Sequence, residues 1–478
     1  MKSRVIFCLM GLLAMAAQLS AAEPALAGND KANKPLALHP DNPHYFLFRN
    51  KAAVLITSGE HYGAVLNPDF NYIPYLDELQ SRQLNLTRLF SGSYVESSIS
   101  FNITGNTLAP LANRVLCPWA RSSTPGYANG GNKFDLNTWD VAYFMRLKDF
   151  VSQAAKRGIV VEMVLFCPFY DDDQWELSPW KASNNVNGST MLKRTGVMTQ
   201  KSDLLAIQEA MVRKFADELK DFDNLYFEIC NEPYFGGVTL EWQSHIAGIL
   251  ADAEKNLPEK HLIAQNIANG SAKIDAPNPA VSIFNFHYAT PPTVVGVNFG
   301  LNKIIADDET GFKGQADSVY RKEGWEFILA GGAIFDNLDY SFTAGNENGT
   351  FRYPPKQPGG GGPALRNQYG ILMRFLNGFD FVHMAPGISF IKNGVPNGAK
   401  IHALSQPGTA YAIYLNGGPH AELLVELPDG NYNLDWIDTL TGAIGKSEEI
   451  KHAGGTVILK SPEYTEDIAL RIVAVVKK

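Results

Sequence analysis

Two carboxyl groups stand at the ends of apolar segments, where a folded chain would otherwise place few charges. Glu232 follows the apolar run at residues 226–230, and Glu309 lies in "IIADDET" at residues 304–310. Two carboxyl groups about 5 to 5.5 Å apart can hydrolyse a glycosidic bond with retention, because one protonates the leaving oxygen while the other attacks the anomeric carbon. The pair therefore predicts acid/base and nucleophilic chemistry on a glycoside.

Each of these carboxyl groups also has another interpretation. Glu232 is followed by Pro233, so it could be an acid that the dipole favours at the start of a helix. Asp307 or Asp308 could serve as the nucleophile in place of Glu309, because neighbouring acids crowd one strand end.

Eight apolar segments of strand length alternate with stretches of helical periodicity. They lie at residues 52–57, 84–90, 158–166, 224–230, 261–266, 281–286, 302–307 and 333–340. Several are continuously apolar, as parallel strands covered on both faces are. The alternation predicts a (β/α)8 TIM barrel, whose strands all end at one mouth. The acid after the fourth strand and the acid on the seventh would face each other there.

The predicted barrel occupies a catalytic domain at residues 23–393, which is longer than the roughly 250 residues typical of this fold. The excess falls after the second, third and eighth strands, in the connections that build the catalytic face. From residue 394 the pattern changes to short strands separated by turns rich in Gly, Pro and Asn. This pattern predicts a small C-terminal β-sandwich at residues 394–478.

The N-terminal residues have the pattern of a secretory signal. Lys2 and Arg4 precede an apolar run at residues 5–19, and small residues follow it, which predicts a cleaved signal peptide at residues 1–22. The run is shorter than the roughly 20 residues that a spanning helix needs. We therefore expect a secreted or periplasmic protein with no transmembrane segment.

Charge and cysteine content limit the partners. The formal net charge of −8 at pH 7 argues against nucleic acid and anionic membranes as partners. Beyond the signal, Cys117, Cys167 and Cys230 are an odd number, so at least one is unpaired unless a second chain supplies a partner. They lack the close pairs of a zinc site, and His287 has no histidine near it in sequence. No metal and no cofactor are expected.

The ordered set of Asn231-Glu232-Pro233, His287-Tyr288 and Glu309 resembles the clan A glycoside hydrolases, close to the family 5 cellulase-like and apiosidase-like members. The segments at residues 41–63 and 427–442 are similar to exported members of that group. In those members, the barrel is followed by a collagen-binding-type β-domain. The resemblance covers nearly all of the chain beyond the signal.

The resemblance implies a role for each matching side chain. Glu232 would be the general acid/base with a raised pKa, and Glu309 would be the nucleophile that stays ionised. Asn231 would bind the sugar 2-hydroxyl, Tyr288 would donate to the nucleophile, and His287 would contact the sugar. His287 could instead be a core histidine whose hydrogen bonds are satisfied within the protein.

Three further positions are candidates for the site. Arg88 resembles the second-strand arginine that keeps the nucleophile anionic, although it could instead be paired with Glu228 at the barrel bottom. Glu60 and His61 follow the first strand and could bind sugar hydroxyls or form an ion pair within their loop.

Aromatic residues could form the floor and walls of a sugar subsite. Many members of the clan have a tryptophan at the eighth strand, where this sequence offers Phe335, Tyr340 and Phe342. Of these, Tyr340 is our candidate for substrate binding. The loops after strands two and three add residues that could stack on sugars or belong to the core: Trp119, Tyr170, Trp175 and Trp180.

These features predict a secreted retaining glycoside hydrolase that cleaves O-glycosidic bonds in a polysaccharide or oligosaccharide by double displacement. The alternative is a catalytically silent carbohydrate-binding or adhesion protein on the same barrel. The presence of an acid at both strand ends favours the enzyme.

Overall fold

The computed structural model of the protein describes residues 34–188 and 193–475. The predicted signal peptide at residues 1–22 lies outside the described residues. No helix of the described ranges is long and apolar enough to cross a membrane.

Eight parallel strands form the central sheet at the positions of the eight apolar segments. Barrel strands one to eight are Leu55–Gly59, Leu86–Phe90, Val160–Phe166, Leu225–Cys230, Ile263–Asn269, Ile283–His287, Ile304–Thr310 and Ile334–Leu338. Strands two to eight are hydrogen-bonded neighbours in chain order, and strand eight pairs with strand one. Between strands one and two, the Asn85 side chain accepts from Ile56 N at 2.9 Å and donates to Val54 O at 2.8 Å. The side chain thus bridges the two edge strands of the barrel.

Helices follow most of the strands. They are α1 Tyr72–Ser81, α2 Val141–Lys156, α3 Asp172–Leu177, α4 Leu205–Leu219, α5 Leu240–Ala253, α6 Thr293–Asn298, α7 Asp317–Leu329 and α8 Pro363–Asn377. Asn71, Asp140 and Thr239 cap α1, α2 and α5 by accepting from backbone N–H groups. Residues 270–282, all of which are described, contain no helix, so the alternation is interrupted between strands five and six.

Two of the long connections have structure of their own. The connection after strand two contains an antiparallel hairpin of Trp119–Pro125 and Asn132–Trp139, which the sequence pattern does not predict. After strand eight, the glycine-rich segment passes directly over the end of strand seven. A Cβ at Gly359 would overlap the carbonyl oxygen of Gly311, so this close approach requires glycine.

The chain enters the barrel through a small antiparallel sheet of Ala37–Leu38, Phe46–Phe48 and Lys51–Ala53. The apolar segment at residues 52–57 is therefore divided between two sheets. Its first part pairs with this entry sheet and its second part begins barrel strand one.

The C-terminal region is one continuous antiparallel sheet. Its strands are Ala385–Pro386, Ile391–Asn393, Lys400–Gln406, Ala410–Asn416, Glu422–Asp438, Ile444–Lys460 and Asp467–Ala474. Both halves of Glu422–Asp438 contribute to one buried core, which includes Val425 and Leu434. The sheet therefore curves around its own interior. The predicted fold class, a (β/α)8 barrel followed by a small C-terminal β-sandwich, is confirmed, and the two halves of one curved sheet enclose the core of the second part.

The opposite face of this sheet packs on the barrel. Tyr414 stacks on Trp325 of α7, with ring centroids 5.2 Å apart. The barrel and the C-terminal sheet belong to a single compact unit. The division at residue 394 stays a prediction.

Candidate active site

A pocket of about 340 Å³ opens at the carboxyl ends of the barrel strands. Five of the predicted site residues line it: His61, Asn231, Glu232, Tyr288 and Glu309. The rest of its wall is mostly aromatic and aliphatic, with Phe101, Phe235 and Phe312 at the mouth. Such an apolar pocket with a few convergent polar groups is typical of a ligand site.

The two glutamates face each other in this pocket. One carboxylate oxygen of Glu232 and one of Glu309 lie within 4.8 Å of each other, and a ring nitrogen of His287 lies within the same distance of both. Retaining glycosidases hold their carboxyl groups about 5 to 5.5 Å apart, whereas inverting enzymes leave about 6.5 to 9.5 Å for a water molecule. The observed spacing fits direct attack by one carboxylate.

A shift in strand register directs Glu309 into the pocket. The ladder between strands six and seven shifts by one residue after Phe286, so that His287 lies opposite Glu309 instead of Asp308. Bulges of this kind redirect side chains next to active sites. As a result, Glu309 reaches the mouth while the preceding acid lies beneath it.

The two aspartates do not line the pocket. Asp308 is fully buried, accepts a hydrogen bond from Asn285, and lies 3.3 Å from Nε2 of His287. Asp307 accepts from Ala289 N at 3.2 Å. Both serve as buried acceptors, so Glu309 is the acid of this strand that a substrate would meet.

Three donors hold the Glu309 carboxylate. Tyr288 donates its phenol hydroxyl to Oε1 at 2.9 Å, while the Tyr62 hydroxyl and Arg88 Nη1 both donate to Oε2 at 3.1 Å. Charge-assisted hydrogen bonds of this kind fix the orientation of a carboxylate and favour its charged form.

Arg88 makes both of the contacts considered for it, one with Glu309 and one with Glu228. Its Nε and Nη2 donate to Glu228 in the barrel interior. Nη2 also donates to Asn231 Oδ1 at 2.9 Å, and Nη1 donates to Glu309. Glu162, opposite Arg88 in the register of strands two and three, lies 3.5 Å away. The guanidinium therefore connects the buried acids of the barrel with the pocket.

Glu232 lies in the turn after strand four, with a φ of 38°. A positive φ is costly for a glutamate and persists only where the surroundings fix it. The next helix, α5, starts eight residues later at Leu240, so Glu232 does not occupy a helix start. Its carboxylate accepts from the Tyr170 hydroxyl at 2.6 Å and from the Tyr234 hydroxyl at 3.2 Å.

His287 lies between the carboxylates. It is fully buried, and its Nδ1 is 3.3 Å from Oε1 of Glu232 and 3.6 Å from Oε1 of Glu309. Burial favours the neutral ring, but the charges of Glu309, Asp308 and Glu232 outweigh burial and raise the pKa of His287 well above its usual value. The surrounding carboxylates therefore favour the imidazolium form of the ring.

This cation determines how the two glutamates titrate. Burial favours the neutral form of Glu232, but the hydrogen bond and charge of His287, with the tyrosine hydroxyls, outweigh it and lower the pKa of Glu232. For Glu309, burial and the charge of Glu232 outweigh His287 and Arg88 and raise the pKa. These directions are the reverse of the expected order, in which the pKa of Glu232 is raised and Glu309 stays ionised. The expected roles of the two acids stay a prediction.

Two clusters of buried side chains place three possible metal ligands within 4.8 Å of one another. They are Glu232, His287 and Glu309 in the pocket, and Glu162, Glu228 and Asp308 beneath it. In each cluster a protein cation already faces the carboxylates, the His287 imidazolium in the first and the Arg88 guanidinium in the second. The expectation of no metal stays a prediction.

Asn231 and Tyr170 form a hydrogen-bonded pair beside the acid. Asn231 donates from Nδ2 to the Tyr170 hydroxyl at 2.8 Å, and that hydroxyl donates in turn to Glu232. Tyr170 lines the pocket, but its hydroxyl is committed to the acid. The tyrosine considered for stacking is thus a direct partner of Glu232.

Glu60 and its neighbour His61 have different surroundings in the structure. Glu60 accepts from the N–H groups of Gly63 and Ala64 at 3.2 Å each and from the Thr107 hydroxyl. It does not line the pocket and holds two loops together instead. His61 lines the pocket, and burial lowers the pKa of its ring to about 3, so it is neutral.

The predicted aromatic platforms are mostly in the core. Tyr340 is buried behind the pocket wall, where its ring lies 4.5 Å from that of His61. Trp119, Trp175 and Trp180 are at most 2% exposed and pack among other aromatic rings. Their alternative interpretation as core residues is the one that the structure supports.

Three residues at the site were missed in the sequence. Tyr62 directly follows Glu60 and His61, which were candidates at the barrel mouth, and this position is the signal that could have identified it. Tyr234 lies two residues after Glu232 in the same turn. Glu96 lies in the long connection after strand two, where no local pattern marks a site residue.

No protein-family model matches the sequence, and no curated protein matches it either. Solved structures do match. A family 5 glycoside hydrolase from Bacteroides vulgatus is 14% identical, with a TM-score of 0.63 over 92% of this chain and 93% of that chain. The protein has the fold of family 5 glycoside hydrolases. A second glycoside hydrolase is 15% identical, with a TM-score of 0.64 over 93% of this chain and 98% of that chain. These matches extend beyond the barrel into the C-terminal sheet.

Proposed function

We propose that this protein is a glycoside hydrolase that cleaves O-glycosidic bonds of a polysaccharide or oligosaccharide with retention of configuration. The observation that carries the proposal is the approach of Glu232 and Glu309 to within 4.8 Å in a pocket at the barrel mouth. Two structures of the same fold are named glycoside hydrolases, which supports it. The apolar N-terminal pattern supports action outside the cytoplasm.

The reaction has two displacements. First, a carboxylate oxygen of Glu309 bonds to the anomeric carbon while Glu232 gives its proton to the departing glycosidic oxygen. Glu232 then takes a proton from water, and the water oxygen attacks the same carbon and releases Glu309. Two inversions at one carbon leave the configuration unchanged.

Glu232 must be protonated when the bond breaks, although the surroundings lower its pKa. A sugar in the pocket removes water from the carboxylate, and desolvation favours the neutral form. A proton is also close, because the His287 imidazolium has its Nδ1 3.3 Å from Oε1 of Glu232. We therefore assign His287 the role of holding a proton that it can exchange with the two glutamates.

The alternative function is a silent carbohydrate-binding protein. Such a protein would not need an acid on each side of the bond, each with its own set of phenol donors. The complete set of donors around both carboxylates favours the enzyme.

The test uses the purified protein with panels of α- and β-linked 4-nitrophenyl glycosides and with natural glycans. Glu309→Gln should be inactive on every substrate. Glu232→Gln should lose activity on natural glycans but keep part of it on aryl glycosides, because good leaving groups need no protonation. Proton NMR of the first product should show retention. Full activity of Glu309→Gln, or an inverted first product, would contradict the mechanism.

A further inference from the structure

A third carboxyl group lines the pocket without a role in the two displacements. Glu96, in the connection between strand two and α2, is 6% exposed and shares the pocket with Glu232 and Glu309. Burying a carboxyl group is costly unless it is paired, and the described residues give Glu96 no ion pair. A buried acid that the fold does not neutralise calls for a functional explanation.

Neutral donors fix the Glu96 carboxyl in place. Tyr94 donates its hydroxyl to Oε1 at 2.8 Å, and the Asn106 amide donates to Oε2. Asn106 is itself oriented, because its Oδ1 accepts from Leu108 N at 2.9 Å. A carboxylate has about four acceptor sites, so each oxygen of Glu96 keeps capacity for a further donor from the pocket.

Glu96 lines the same pocket as Glu232 and Glu309. Burial raises its pKa to about 7, and the charge of Glu309 adds to the rise. Asn269 also lines the pocket, and the Tyr234 hydroxyl lies between two acceptors, Asn269 Oδ1 at 2.5 Å and Glu232 Oε1 at 3.2 Å. A glycan that places a glycosidic bond between Glu232 and Glu309 therefore fills a pocket that Glu96 also lines.

We propose that Glu96 is a specificity-determining residue that accepts hydrogen bonds from hydroxyl groups of the glycan bound in this pocket. This inference rests on the proposed function. The described lining residues include three carboxyl groups and no lysine or arginine. Neutral sugar hydroxyls can therefore donate to Glu96, whereas a ring carboxylate or sulfate in the same position would be repelled.

The experiment compares Glu96→Gln with the parent enzyme and with Glu449→Gln, which removes an exposed charge from the C-terminal sheet. The substrates are 4-nitrophenyl glucoside, galactoside, mannoside and xyloside in both anomeric forms, and 4-nitrophenyl β-glucuronide. Because glutamine keeps the size but supplies a donor amide in place of an acceptor, KM for the best neutral substrate should rise about tenfold or more. The change in kcat should be smaller. The ratio of kcat/KM for the best neutral substrate to kcat/KM for the glucuronide should decrease.

Binding provides a measurement that does not depend on turnover. Calorimetry of the same aryl glycosides with Glu309→Gln and with the Glu309→Gln/Glu96→Gln double variant should show the same loss of affinity. If the parent hydrolyses nothing but the double variant binds more weakly, the proposed function fails while Glu96 recognition stands. If affinity and KM both stay within about twofold, the inference is overturned.

A second variant covers the case in which Glu96→Gln does not fold. Tyr94→Phe leaves the carboxyl in place but removes the donor that holds Oε1. KM for the neutral substrate should then rise by a smaller factor in the same direction, because the acceptor is less well oriented. An unchanged KM for a folded Tyr94→Phe protein would also overturn the inference.

Discussion

The Tyr170 hydroxyl donates a 2.6 Å hydrogen bond to Oε2 of Glu232. This bond joins the connection after strand three to the acid after strand four. It favours the charged carboxylate and is one cause of the lowered pKa of Glu232. The pKa of Glu232 therefore depends on a neighbouring loop.

Replacing Tyr170 by phenylalanine should raise the pKa of Glu232. A charge-assisted hydrogen bond contributes about 1.5 to 3 kcal/mol, which corresponds to about one to two pKa units. Because Glu232 must be protonated to act as the acid, the alkaline limb of the kcat/KM profile should move to higher pH. Tyr72→Phe is the matched control, since its phenol donates to Asp149 away from the pocket. An unmoved alkaline limb would mean that Tyr170 does not influence the acid.

Tyr288→Phe should affect the opposite limb. The phenol donates to Oε1 of Glu309 at 2.9 Å, so its loss raises the pKa of Glu309 further. The nucleophile must be ionised, so the acidic limb of kcat/KM should move upward by about one unit and turnover should fall. Tyr62→Phe, which removes the donor to Oε2, should act in the same direction. If both variants keep the parent's pH profile of kcat/KM, the two phenol hydroxyls do not influence the pKa of Glu309.

Glu60 should make stability depend on pH. Burial raises its pKa from 4.5 to about 7 in the folded protein. Between these values the folded chain keeps a proton that the unfolded chain loses, so the free energy of unfolding falls as pH rises. Glu60→Gln should flatten this decline by up to about 1.4 kcal/mol per pH unit. Denaturant titrations at pH 5, 6, 7 and 8 measure the free energy of unfolding of both proteins. If it changes with pH equally in the parent and in Glu60→Gln, the raised pKa of Glu60 is refuted.

The C-terminal sheet should stabilise the barrel without entering catalysis. Arg321 of α7 is buried and pairs with Asp467 at the start of the last strand at 2.6 Å. Removing one partner of a buried ion pair costs about 3 to 5 kcal/mol. Arg321→Met should lower the free energy of unfolding by about this amount and leave KM unchanged for the folded protein. Arg213→Met, which breaks an exposed pair with Asp252, should cost at most about 1 kcal/mol. A changed KM in Arg321→Met would show that the sheet reaches the site.

The sequence by itself determined the barrel and the two acids. Apolar segments alternate with helical periodicity over the whole catalytic region, and such periodicity is a property of neighbouring residues. Glu232 and Glu309 were recognisable because each follows or ends a strand, and parallel strands of a barrel end at one mouth. The contacts of Arg88 and Tyr288 with Glu309 were expected from the resemblance to clan A glycoside hydrolases.

Only the tertiary structure decided which of the remaining polar groups face the pocket. Glu60 and Glu96 are both buried acids after barrel strands, but one holds loops together and the other lines the cavity. Trp119 begins a hairpin that the pattern does not predict, and its ring packs against that of Trp180, so both became core residues. These outcomes depend on how long loops pack against one another, which local periodicity does not specify.

The order of the two pKa values also belongs to the tertiary structure. It follows from the burial of both carboxyl groups, from the position of His287 Nδ1, 3.3 Å from Glu232 and 3.6 Å from Glu309, and from the charge of Glu232 near Glu309. Electrostatic free energy sums over charges from strands four, six and seven according to their distances and burial. A sequence places these residue types on the strands, whereas their distances exist only once the barrel has closed.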